Sequence, residues 1–312
     1  MQFGVRENLS YLLLVNSSLQ SKIGLHTNMA IDLTWLQQQF PEISSLSPLS
    51  MGGQKEVFSG AHASDGAVVL KIYHPQTDIE RVVRDIQAVQ SISSPRVPRI
   101  FDVGIKNSLI GDVVWVREEQ ITGQELRQIL QKQGILDLHQ VLKLGRQILE
   151  VLAGAEKVRI VHRDVKPENI IVDCSGDAWL LDFGLVRHLD LTSLTATSER
   201  FGPCTPGYAP PEQFRNRKSE IDARADLFAL GVTLYECSEG INPFVDQARD
   251  LLEVLRRVES RPLPAISMTV DKKGEFPQLV AAMTCLRPNH RLSSIQEALT
   301  WMQEICAEEG IS

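Results

Sequence analysis

Long apolar runs are missing from this chain. The one membrane-like stretch is YLLLV, residues 11–15, bounded by Ser10 and Asn16, whereas a spanning helix needs about 20 apolar residues in a row. Export signals are lacking too. Arg6 stands beside Glu7, a poor basic start for a secretory leader, so a cytoplasmic chain with no membrane partner is expected. Met29 is an alternative start. Cysteine is scarce: Cys174, Cys204, Cys237, Cys285 and Cys306 are scattered, odd in number and free of C-x-x-C spacing. They read as reduced thiols, which excludes a disulfide framework and a zinc site. Lys/Arg runs are absent as well, and the net charge is −7, so nucleic acid is not an expected partner. Internal repeats and low-complexity tracts are not found. What the chain does have is 312 residues, 43% of them hydrophobic. That is enough for one large domain or two lobes around a cleft.

The elements follow from local signals. Residues 32–40 (DLTWLQQQF) predict a short helix capped by Asp32 and stopped by Pro41. A Ser-rich stretch, 44–50, leads into two strands, 56–60 and 68–72, with Ser64, Asp65 and Gly66 as their turn. Apolar residues at Ile79, Val82, Val83, Ile86, Val89 and Ile92 recur at helical spacing. Strand-like runs follow at 99–103 and 112–116. Beyond them the pattern is mainly helical: 138–152, 223–238, 248–259, 276–286 and 293–306, with short strands at 170–172 and 179–181. The class expected is α+β: an N-terminal extension (1–45), a small antiparallel lobe (46–118), a hinge (118–122), a larger helical lobe (119–306) and a tail (307–312).

The chemistry is concentrated in HRDVKPEN, residues 162–169, followed by Asp182-Phe183-Gly184. Mg²⁺ prefers hard oxygen ligands, few of them from protein and the rest from phosphate and water. Asn169 and Asp182 supply such oxygens. Asp164 is placed to accept a proton from an incoming hydroxyl, and Lys166 to neutralise charge developing on a phosphate. A lone HRD or DFG carries little weight, but together in this order and spacing they are specific.

With these motifs the chain resembles the protein-kinase family over roughly residues 46–306. It is most similar to the eukaryotic-like (Hanks-type) serine/threonine kinases of bacteria. The resemblance implies a bilobal fold, ATP and Mg²⁺ (or Mn²⁺) as cofactors, and protein substrates phosphorylated on Ser or Thr. It assigns Lys71 to the α- and β-phosphates, Gly52 and Val57 to the phosphate-covering loop, Glu119 and Ile121 to the hinge, and Glu125 to the ribose. It pairs Glu212 with Arg291, and it makes Asp226 the anchor of the catalytic loop's backbone. Thr205 resembles the threonine that bridges base and substrate. Arg163 and Arg187 form a candidate phosphate-binding pair, with Thr197 and Ser198 as candidate phosphosites.

The sequence also departs from the family pattern. Ser50 and Lys55 stand where glycines are usual, leaving Gly52 alone. Asp85 stands where the glutamate that pairs with Lys71 belongs, one methylene shorter. Glu118 holds the position at the back of the adenine pocket, where a carboxylate must be paired or neutral. These departures motivate a second reading, a silent binding scaffold. Retention of Lys71, Asp164, Asn169 and Asp182 favours the enzyme.

Overall fold

The computed structural model describes residues 31–51, 55–74, 79–108, 111–183, 204–267 and 271–311; the side chains of residues 51, 79–81 and 83–85 are not described. The chain divides into two compact units, Met1–Gln90 with Pro98–Ile121, and Ser91–Val97 with Thr122–Ser312.

The first unit is built on a five-stranded antiparallel sheet of order β1-β2-β3-β5-β4. Its strands are β1 (Ile43–Met51), β2 (Lys55–His62), β3 (Gly66–Tyr73), β4 (Ile100–Ser108) and β5 (Gly111–Glu119). Helix α1 (Leu33–Gln39) precedes β1, and α2 (Ile79–Gln90) follows β3. Asp32 caps α1 as its sequence suggests, its carboxylate accepting from the backbone N–H groups of Thr34 and Trp35. The alternation of β3 and β5 separates two faces. One carries Val68, Leu70, Ile72, Val113 and Trp115, which form a core with Ile31, Leu36 and Phe40. Phe40 meets Trp115 edge-on, with ring centroids 5.1 Å apart. Gly104 on β4 permits this arrangement, because a Cβ there would lie 2.8 Å from the Trp115 Nε1. The opposite face carries Lys71 and Glu118.

The Ser-rich stretch 44–50, a lead-in by its sequence pattern, forms most of β1. Its serines and Pro48 carry little intrinsic strand preference. Pairing with β2 supplies the order instead, through an irregular register with shifts between Ser44 and Ser47 and between Pro48 and Ser50. Leu36 is completely buried, so Leu36→Ala is expected to lower stability by about 2–5 kcal/mol. Chemical denaturation would check this, and a loss below about 1 kcal/mol would mean that α1 is not part of this core.

The second unit is mainly helical: α3 (Leu126–Gln133), α4 (Leu138–Lys157), α5 (Pro211–Phe214), α6 (Arg224–Glu239), α7 (Leu251–Ser260), α8 (Glu275–Met283) and α9 (Ile295–Glu309). A small antiparallel sheet, β6 (Gly123–Glu125), β7 (Ile170–Asp173) and β8 (Ala178–Leu180), accompanies them. Helix α4 starts with a reciprocal cap: Asp137 accepts from the Gln140 N–H, and the Gln140 side chain accepts from the Asp137 N–H. Gly145 within α4 lets Met302 of α9 and Leu234 of α6 approach closely; a Cβ would lie 2.8 Å from the Met302 methyl. Helix α6 is apolar nearly all round and is buried along most of its length. The burial of α6 makes its first-turn Asp226 a rigid post for the loop described next.

Candidate active site

The loop 162–169 runs from α4 into β7, and its backbone is fixed before any side chain acts. The Asp226 carboxylate accepts from the backbone N–H groups of His162 and Arg163, each at 2.7 Å. Burial pushes this carboxyl up to about 7, opposed by those two bonds. The bonds help hold Arg163 in a left-handed conformation, φ 66°. The Arg163 carbonyl accepts from the Gln213 side chain at 2.7 Å. His162 is fully buried, and its Nδ1 accepts from the Asp164 N–H at 3.2 Å. Its Nε2 therefore carries the proton and donates to the Leu181 carbonyl at 2.8 Å. Its ring stands edge-on to Phe183, centroids 4.7 Å apart.

Asp164 is buried and held on both oxygens. Oδ1 accepts from the Thr205 hydroxyl at 2.6 Å, and Oδ2 accepts from the Asn169 amide at 2.8 Å. The Lys166 ammonium lies 3.1 Å from Oδ2 and donates to the Thr205 Oγ1 at 2.8 Å. The structure thus places Thr205 on the Asp164 carboxylate. The Asn169 Nδ2 also donates to the Asp164 backbone carbonyl at 2.7 Å. The Leu181 N–H donates to the Asn169 carbonyl at 2.8 Å, bringing the chain just before Asp182 beside Asn169. Asp182 itself has φ 55°, a left-handed conformation unusual for a non-glycine residue.

A second network had no sequence signal to reveal it. Arg127 of α3 donates to Glu236 at 2.6 Å, to Glu168 at 2.8 Å and to the Tyr208 hydroxyl at 2.5 Å. Tyr208 in turn donates to Glu236. Burial opposes the Arg127 charge, but bonds to Glu236 and Glu168 outweigh it and raise the guanidinium's pKa. Burial, then the Glu236 charge, raises the Tyr208 phenol. Glu125, which precedes α3, is raised by burial and then by Glu168. The partners lie 41, 81 and 109 residues from Arg127, beyond any local pattern. Together they tie α3 and α6 to the segment that carries Thr205.

That segment is fixed again at its far end. Arg291 meets Glu212 through two bonds, Nη1 to Oε1 at 2.6 Å and Nη2 to Oε2 at 3.0 Å, with both side chains buried.

In the first unit, Lys71 on β3 donates to the Glu118 carboxylate on β5 at 2.6 Å, both being buried. Val57 lies opposite Lys71 across the β2–β3 pair. The Glu119 N–H donates to the Arg99 carbonyl at 2.8 Å, and Ile121 is the last residue of this unit before Thr122. Asp85 lies within α2, but its side chain is outside the description. Gly52, Arg187, Thr197 and Ser198 lie outside the described residues. All five cysteines are free.

Residues 44–306 match the family described as the protein kinase domain, so the chain belongs to the protein kinase family. Among its curated relatives, the serine/threonine-protein kinase PknL of Mycobacterium tuberculosis is 31% identical over 250 residues, covering 78% of this chain and 60% of that protein. PknD of the same organism is 32% identical over 262 residues, 82% of this chain and 38% of that protein. The serine/threonine-protein kinase pkn3 of Myxococcus xanthus is 34% identical over 205 residues, 62% of this chain and 37% of that protein. The chain therefore spans between 37% and 60% of the length of these three relatives.

Proposed function

We propose that this chain transfers the γ-phosphate of ATP to Ser or Thr hydroxyls of protein substrates. The observation that carries the reading is the Asp164 carboxylate, held by Thr205, Asn169 and Lys166. A carboxylate fixed on both oxygens is a poised acceptor for the proton of an alcohol. As the acceptor oxygen forms its bond to the γ-phosphorus, its proton passes to Asp164. The bond from that phosphorus to the bridging oxygen breaks, and ADP leaves. Lys166 stands within reach of Asp164 and is suited to neutralise charge on the transferring group. Lys71 is assigned to the α- and β-phosphates, and Glu125 to the ribose. Gly52, Val57, Glu119 and Ile121 are assigned to nucleotide binding.

The donor set fits a magnesium ion. Asn169 offers an amide oxygen, Asp182 a carboxylate, and among the described residues no cluster of three or more His, Cys, Asp or Glu forms a closed metal cage. An ion that takes few protein oxygens and completes its shell with phosphate and water suits such a pair. Bound there, Mg²⁺ (or Mn²⁺) would supply charge neutralisation for the phosphates. Among the described residues no helix is long and apolar enough to cross a membrane. We place the activity in the cytoplasm.

The test is transfer of label from [γ-³²P]ATP to a generic protein, with free choline and an aminoglycoside as alternative acceptors. Mg²⁺-dependent label on protein, lost on chelation and in Asp182→Asn, is the expected result. Label on the small molecules alone, or none, would overturn the proposal.

A further inference from the structure

Glu118 is a buried carboxylate for which the transfer chemistry has no use. Burying a carboxylate is costly unless it is paired. Its position and partner are set by the sheet. In the β3–β5 register Glu118 lies opposite Val69 and Lys71 lies opposite Val116. The two side chains therefore rise from the same face as diagonal neighbours, and Oε2 stands 2.6 Å from Nζ. Each side chain is 7% exposed. Both belong to strands hydrogen-bonded to each other, so the pair is held by the sheet whatever the setting of α2, where Asp85 stands.

Resting on the assignment of Lys71 to the nucleotide phosphates, we propose that Glu118 sets nucleotide affinity by competing with the α- and β-phosphates for the Lys71 ammonium. An ammonium beside a carboxylate presents almost no net charge at a distance. A phosphate approaching it gains one attraction and meets one repulsion, in a site too buried for water to screen either. Nucleotide binding is thereby weakened in its phosphate part and left alone in its adenosine part. Such a residue discriminates by charge, and its effect grows with the number of phosphates the ligand carries.

The experiment titrates the full chain with a Mg²⁺-bound, non-hydrolysable ATP analogue and, separately, with adenosine. In Glu118→Gln, which keeps the shape and removes the charge, the analogue is expected to bind about tenfold more tightly. Adenosine should change by less than about twofold. Glu118→Met, a second charge-free replacement, should tighten the analogue in the same direction and covers a failure of Glu118→Gln to fold. Lys71→Met, which leaves the phosphates without their ammonium, should weaken the analogue and leave adenosine within about twofold. Unchanged or weaker binding of the analogue in the Glu118 variants would overturn the role of Glu118. So would an equal gain for adenosine, which marks a change in pocket shape. Unchanged affinity of Lys71→Met for the analogue would overturn the assignment of Lys71 as well. The two failures are thus distinguishable.

Discussion

Asp164→Asn is expected to lower phosphate transfer to protein by about 10³-fold while leaving affinity for a non-hydrolysable nucleotide within a few fold. The substitution preserves size and can preserve the contact with the Thr205 hydroxyl, now 2.6 Å from Oδ1. It removes the ability to take the acceptor's proton. It also sets an amide against a crowded set of donors, because the Asn169 Nδ2 and Lys166 Nζ both face Oδ2. Initial rates with labelled ATP, beside a nucleotide titration, separate the two quantities. Retention of more than a tenth of the wild-type rate would remove Asp164 from the role of base. Lost nucleotide binding would instead point to collapse of the loop around it.

The second large effect concerns stability. Glu212→Gln is expected to destabilise the second unit by about 3–5 kcal/mol, the usual consequence of leaving a buried charge without its partner. Arg291 also donates to the carbonyls of Cys285, Leu286 and Arg224 and lies over the Phe228 ring, 5.0 Å from its centroid. It cannot move to water without breaking all of these. A drop in Tm of about 10 °C is the corresponding calorimetric signal. A double replacement of Glu212 and Arg291 by apolar residues of matching volume should recover much of the loss. A single-variant drop below about 3 °C would mean that the guanidinium finds another anion.

The parts that sequence made readable are those whose cause is local. Asp32 and Pro41 frame α1, and the alternation of 68–72 marks β3. The spacing of 162–169 and 182 marks Asp164, Asn169 and Asp182, the residues proposed as base and metal ligands. Several elements escaped because their cause is distant. Strand β1 takes its order from β2, and α3 is a short helix whose Arg127 finds its partners up to 109 residues away. Glu118 falls between these cases. Its need for a partner was evident from its position, but Lys71, 47 residues earlier, became that partner only when β3 and β5 were laid side by side.

The placement of α1 has a practical consequence. The family match begins at residue 44, whereas the hydrophobic cluster of the first unit already uses Ile31, Leu36 and Phe40. A fragment trimmed to the match would strip the cover from Phe58, Leu70, Ile72 and Trp115, giving sticky protein whose poor yield says nothing about catalysis. Expression boundaries chosen for this chain should start upstream of Ile31.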